Sequence, residues 1–274
     1  MKSSLVNVVW FSEKRRNLLL LLKEGKRDIE QIKKSLNVTS RSIMPQIKTL
    51  KHYHLIVQEG DYYSLTGVGE IVVKNMLPFM ENSRILEENR EFWASRNIDA
   101  IPPHLFSNIR KLGHYFLIEP DINHLFELPR EFIENIPKSK HVTTFVSYLH
   151  PAFPSLYSEA SLSGVKISLL ITKETLEKLE HEHYEDFRNM TEVDNIDIFL
   201  YQGNLKIPMV TVTDWFSYIC LFNKEGRYDH RDIISFDESA LSWCQDLFEH
   251  YMQNSKKFNP EKIAEPLIGI SEMS

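Results

Sequence analysis

The sequence predicts a mixed α+β and α/β chain in two parts. A small helical head carries a β-hairpin, and a helical connector leads from it to a larger α/β part built on a mixed sheet. Three observations predict this. Between Asp28 and Leu65 two amphipathic segments meet at a short break, and two short strands follow around Gly60–Asp61. From residue 113 onward, apolar runs of strand length alternate with segments of helical period. Charge divides the same way: residues 1–80 hold 13 Lys+Arg against 7 Asp+Glu, a balance of +6, whereas the remainder hold 19 against 31, a balance of −12.

Taken in order, residues 12–24 (SEKRRNLLLLLKE) open at Ser12, a helix-capping type, and end at Gly25, which marks a helix stop. Asp28 can cap the next helix, whose Ile29, Ile32 and Leu36 form one stripe. After the break at Asn37–Val38, Thr39 is placed to cap a second helix striped by Ile43, Ile47 and Leu50. Pro45 falls inside that helix, removes a backbone donor and is expected to bend it or shift its start. LIVQE and YYSL flank Gly60–Asp61 as a hairpin. Helix, turn, helix, hairpin is the order of a winged helix-turn-helix, assigned to residues 1–78.

A further helix starts at Thr66 and is expected to stop at Pro78, with helix resuming over Ser83–Asn97. Residues 79–103 are therefore assigned as the connector, ending at Pro102 and Pro103. In the second part, 104–254, GHYFLI, HVTTFVSYL, GVKISLLIT and IDIFLY read as strands. PSLYSEASLS, KETLEKLEHEHYEDFRNM and Ser239–Gln253 read as helices, and KIPMVTVTD with WFSYICLF as a hairpin. Strands separated by helices imply a largely parallel or mixed sheet covered by helices. The tail, 255–274, is polar and expected to be poorly ordered.

The basic head points to nucleic acid. A helix fits the major groove, and the second helix of the pair offers Thr39, Ser40, Arg41, Ser42, Gln46 and Thr49, types that bond to base edges or phosphates. Lys33, Lys34, Lys48 and Lys51 form a rim that positions a duplex without reading its sequence. The partner expected is double-stranded DNA, bound by a homodimer because a palindromic site requires one. A protein-binding adaptor is the competing reading, since the hairpin tip is acidic at Glu59 and Asp61.

Two cysteines, Cys220 and Cys244, provide neither a zinc spacing nor a disulfide framework. The aliphatic run Leu18–Leu22 is too short to span a bilayer, so no membrane partner and a cytoplasmic location are expected.

The segments MPQIKTLKHYHLI (44–56), YYSLTGVGEIVVKNM (62–76), SLSGVKISLLIT (161–172) and residues 210–251 resemble the archaeal winged-helix transcriptional regulators with a methanogen FilR-type C-terminal domain. The resemblance implies a DNA-binding repressor or activator with an attached sensory or assembly domain, and it makes Pro45 part of the family pattern. The C-terminal domain is also distantly similar to phospholipase D-like modules.

Enzymatic chemistry finds little support. A phospholipase D site needs His with Lys two positions on, and none of the eleven histidines has it. That disfavours phosphodiester hydrolysis. His181 and His183 lie two apart, which on a helix points them in different directions, so no metal site is assigned. No phosphate loop or nucleophile elbow occurs, and no cofactor is expected. A ligand pocket for a small-molecule effector is the better expectation. His150, Tyr157, Tyr201, Asp214, Trp215, Tyr228 and Asp229 fall at or beyond strand ends, where open α/β sheets place ligands.

Overall fold

The computed structural model describes residues 4–120, 127–203 and 205–259. It divides into two compact units, residues 1–83 and 84–274.

In the first unit, α1 (Leu5–Trp10) and α2 (Glu13–Lys23) precede β1 (Arg27–Asp28), α3 (Ile29–Leu36), α4 (Ser40–His52), β2 (Ile56–Glu59) and β3 (Tyr62–Leu65). The helix α5 (Gly67–Glu88) follows, and the division between the units falls within it. α1 and β1 were not read from the sequence; both are too short for periodicity to register. Asp28 caps α3 as expected, in a reciprocal box with Gln31. Asn37, in the left-handed conformation at φ +49°, ends α3 and turns the chain into α4. Ile32, Ile43, Ile47 and Leu50 bury their stripes against Leu18, Leu19 and Leu22 of α2. The three-stranded sheet has the order β1-β3-β2, all antiparallel. Gly60 takes φ +59° at the first central position of the hairpin turn, where a left-handed residue suits the strand twist.

Of the two internal prolines only Pro78 departs from expectation, since Pro45 falls inside the second helix as read from the sequence. Pro78 does not interrupt a helix, because α5 runs on to Glu88, and Pro45 lies within α4. The carbonyls their missing N–H groups would have met belong to Arg41 and Lys74, both exposed, so water can satisfy them.

The second unit contains α6 (Arg90–Ser95), α7 (Pro103–Phe106), β4 (Tyr115–Ile118), α8 (Arg130–Asn135), β5 (His141–Val146), α9 (Phe153–Leu162) and β6 (Lys166–Ile171). The long polar helix expected after β6 is two helices, α10 (Lys173–Glu182) and α11 (Tyr184–Glu192), broken at His183. Then come β7 (Ile196–Tyr201), β8 (Met209–Thr213), β9 (Ser217–Cys220), β10 (Asp232–Ser235), α12 (Glu238–Met252) and β11 (Ser255–Lys257).

These strands form one mixed sheet of order β11-β7-β6-β5-β8-β9-β10-β4, in which only the β5-β6-β7 pairings are parallel. The alternation of β6 shows why its second half, Leu169 to Ile171, is apolar on both faces. Ile167, Leu169 and Ile171 join the core under α9 and α11, while Leu170 faces the opposite core with Trp243, Leu247 and Tyr251 of α12. The expectation of a loose tail fails at Ser255–Lys257, which pair antiparallel with Tyr201, Leu200 and Phe199. The edge of β7 offers unpaired backbone groups that this polar strand can satisfy without any apolar side chain of its own. The rest of the tail, from residue 260, lies outside the described residues.

Candidate nucleic-acid interface and candidate effector cavity

On α4 the buried stripe of Ile43, Ile47 and Leu50 dictates what faces outward. Ser40, Arg41, Met44, Pro45, Lys48 and Lys51 are exposed on the opposite side, and Thr39 at the N-cap is exposed but makes no side-chain cap bond. The flanking residues are half-buried and committed. Ser42 Oγ donates to the Thr39 carbonyl (3.0 Å), and Thr49 Oγ1 donates to the Pro45 carbonyl (2.9 Å). Gln46 Oε1 accepts from Arg15 Nη1 (2.9 Å), whose Nε also donates to the Val8 carbonyl. Gln46 is thus a tie between α4 and α2, and its expected place on the outer face is corrected.

The basic rim is also partly committed. Lys33 pairs with Glu30 (2.8 Å), and Lys51 Nζ donates to Gln58 Oε1 (2.9 Å), tying α4 to the hairpin. Lys34 and Lys48 stand exposed. Between α4 and the hairpin lies an open groove of about 560 Å³, lined by Arg41, Met44, Lys48, Lys51 and Tyr63 among others. Met44 and Pro45 give its centre an apolar character that the sequence reading did not include.

The sequence-predicted ligand residues separate into two groups. His150 and Tyr228 line a cavity of about 370 Å³ beyond the ends of β4 and β5 and the start of β8, within the range of small-molecule sites, roughly 300–1,000 Å³. The other five lie elsewhere. Tyr157 is buried in the core, stacked on Phe153 at 5.8 Å, where burial pushes its phenol up to about 12. Tyr201 packs against Tyr251 at 5.6 Å in the core on the other sheet face. Asp214 is a turn cap: it accepts from the Lys140 (2.8 Å) and His141 (3.4 Å) amides, and although partial burial opposes it, those donors hold its carboxyl below the usual range. Trp215 donates to Ser139 Oγ (3.0 Å).

Asp229 holds a structural ion pair. Its two oxygens accept from Nη1 (2.7 Å) and Nη2 (2.5 Å) of Arg96, a guanidinium with no exposed surface, and from Arg231 (2.6 Å). Partial burial works to raise its carboxyl, but the two guanidinium partners outweigh that and hold it at about 2.

The cavity's distinctive group is Asp232, at the start of β10 and 2% exposed. Its Oδ2 accepts from the Tyr218 hydroxyl and from the Tyr228 hydroxyl (2.8 Å), while its Oδ1 is buried with no hydrogen-bond partner. Burial raises its carboxyl, and the two phenols only partly offset this. Cys220 lies 3.5 Å from the Tyr228 hydroxyl, its thiol pushed well up by burial. Tyr148, Tyr228 and His230 form an aromatic wall, with centroids 5.0 Å apart for the two tyrosines and 4.4 Å for Tyr228 and His230. Sequence reasoning missed Asp232 because β10 is only four residues long and sits behind a polar segment. The signal was available in DIIS, a short apolar run that begins with a carboxylate at a strand end.

Among the described residues no group of three or more His, Cys, Asp or Glu is placed to hold a metal ion, and no helix is long and apolar enough to cross a membrane.

Comparison with known proteins places two family models on the chain. The N-terminal domain of the methanogenesis regulatory protein FilR1 matches residues 4–82, and its middle domain matches residues 125–254. The FilR1 protein of Methanothrix harundinacea (strain 6Ac) is 25% identical over 286 aligned residues, which take in 96% of this chain but 63% of that relative. The chain therefore spans under two thirds of the length of this curated relative. Among solved structures, the chain is similar to TrmBL2, described as an archaeal chromatin protein with a novel mode of DNA binding, at 12% identity and a TM-score of 0.42, covering 92% of this chain and 97% of that one. It is also similar to Nuc, a phospholipase D family member from Salmonella typhimurium, at 12% identity and a TM-score of 0.37, covering 53% of this chain and 99% of that one.

Proposed function

The chain belongs to the FilR1-type archaeal regulators, carrying both the N-terminal and the middle domain of that family, and from this premise we infer that it is a sequence-specific DNA-binding transcriptional regulator whose larger unit senses an effector. The observation that carries the reading is the outer face of α4. It is exposed, it carries Arg41, Lys48 and Lys51, and it lies opposite the stripe of Ile43, Ile47 and Leu50 that α4 buries. In this reading Arg41 reaches base edges, Met44 and Pro45 offer apolar contact, and Lys34 and Lys48 meet phosphates.

The protein acts as a homodimer on two half-sites about 34 Å apart. Exposed apolar side chains on the first unit support a second copy as partner: Val6 and Phe11 at α1, and Val68, Ile71 and Phe79 on α5. α1 and α5 are neighbours through the Trp10–Phe79 contact, at 4.9 Å. The larger unit has no enzymatic role in this reading, and its cavity around Asp232 takes the effector.

Selection of bound fragments from random duplex DNA tests the reading. Recovery of a two-fold symmetric motif, bound with steep salt dependence, is the expected result. Fragments without any shared motif, together with an isotherm indifferent to salt, would instead favour the protein-binding adaptor that the acidic hairpin tip suggests.

A further inference from the structure

We propose that the cavity of the larger unit takes an organic cation, an amine or methylated ammonium group on a small molecule, held by Asp232 and by the aromatic wall of Tyr148, Tyr228 and His230. The proposal rests on the effector reading and gives the chemical class of the effector.

Asp232 supplies the first argument. Two phenols donate to the same oxygen, Oδ2, an arrangement that treats the carboxyl as an acceptor, while Oδ1 is buried and unpartnered. A buried carboxylate without an opposite charge is costly, and a cation in the cavity that Asp232 lines supplies that charge. The lining supplies the second argument. Among the described residues, Glu119, Glu127 and Glu131 border the cavity with Asp232, against the guanidinium of Arg130 and the imidazoles of His150 and His230. Carboxyl groups outnumber the guanidinium in this lining, a balance that attracts a cation more than an anion.

The aromatic wall is the third and is independent of charge count. Tyr148 is 40% exposed at the mouth, and His230 is held at φ +57°, a conformation costly for a residue with a β-carbon, which sets its ring against Tyr228. Ring faces beside a carboxylate favour ammonium groups through the ring quadrupole, and methylated ammonium groups also lose little hydration on entry. A neutral apolar ligand would use the rings but leave the charge of Asp232 unbalanced.

Isothermal titration of the full chain with methylammonium, tetramethylammonium and choline tests this, alongside 3,3-dimethylbutanol, the uncharged carbon analogue of choline, and 3,3-dimethylbutyrate, an anion with the same tert-butyl group. Binding of at least one ammonium ion, with the neutral and anionic analogues at least tenfold weaker, is the expected result. Asp232→Asn should weaken the ammonium ion by about tenfold or more, and Tyr148→Leu by several-fold. Because Tyr148 is partly exposed, its variant remains informative if Asp232→Asn fails to fold. Equal binding of the uncharged or anionic analogue, with no dependence on Asp232 or Tyr148, overturns the cation while leaving the cavity as an effector site. Silence of every ammonium ion also overturns it. The effector reading itself falls only if thermal unfolding is unmoved by a broad metabolite library as well.

Discussion

Three single residues carry consequences that can be measured directly. Arg96 has no exposed surface, so removing its counter-charge by Asp229→Ala leaves a buried cation unpaired. The expected loss is about 3 kcal/mol in denaturant unfolding at neutral pH. The same pair predicts acid behaviour. The carboxyl of Asp229 is depressed in the fold to about 2, so its contribution is present above the unfolded value, about 3.9, and disappears as pH falls through that window. Asp232 has the opposite sign. Burial raises its carboxyl among Tyr218, Tyr228, Cys220 and His230, so its contribution is full below the unfolded value and is lost as pH rises through the folded one. Asp232→Asn should therefore gain stability relative to the parent as pH rises, and a difference that shrinks with pH would contradict this. Gly69 is constrained by space: a β-carbon there would stand 2.0 Å from the Leu55 carbonyl oxygen, which already accepts from the Thr66 amide (3.0 Å). Gly69→Ala is expected to cost roughly 1–3 kcal/mol, seen as a lower Tm.

At the scale of elements, what the sequence disclosed follows the length of each element and the source of its order. Helices with a buried stripe and a cap, such as α3 with Asp28, were legible because two local signals agreed. The long strands β5, β6 and β7 were legible from their apolar runs. What was missed is short or non-local: β1 and β11 exist through pairing with β3 and β7, and β10 through pairing with β4 and β9. The same limit applies to the sites. The periodicity of α4 located its outer face, but the tie from Arg15 to Gln46 depends on α2, and no window confined to α4 contains it. The cavity was half legible: His150 and Tyr228 lie at strand ends, whereas Asp232 required knowing that β10 begins there. The α4 tie yields its own prediction. Gln46→Ala should lower stability by about 1 kcal/mol and leave base preference unchanged, whereas Arg41→Ala should relax base preference with little change in stability. Competition binding with scrambled duplexes, paired with thermal unfolding, separates them; altered base preference in Gln46→Ala would return Gln46 to the reading face.

For the molecule as a whole, the division of charge assigns different work to the two units. Residues 1–80 carry +6 and the remainder −12, so a duplex is attracted by one and repelled by the other, and an organic cation has the reverse preference. If the effector in the cavity alters DNA affinity, the coupling is a free energy between two sites, and it must act in both directions. Saturating the protein with operator DNA should change ammonium-ion affinity by the same factor by which the ammonium ion changes DNA affinity, on the order of 5- to 150-fold for ordinary allosteric couplings. Salt makes the two arms distinguishable. Raising ionic strength weakens DNA binding steeply through counterion release, while a partly enclosed cation site responds less. Titrating each ligand in the presence and absence of the other, at two salt concentrations, closes the cycle. Equal factors in both directions establish the coupling, and factors of one in both directions would leave the cavity without a regulatory role.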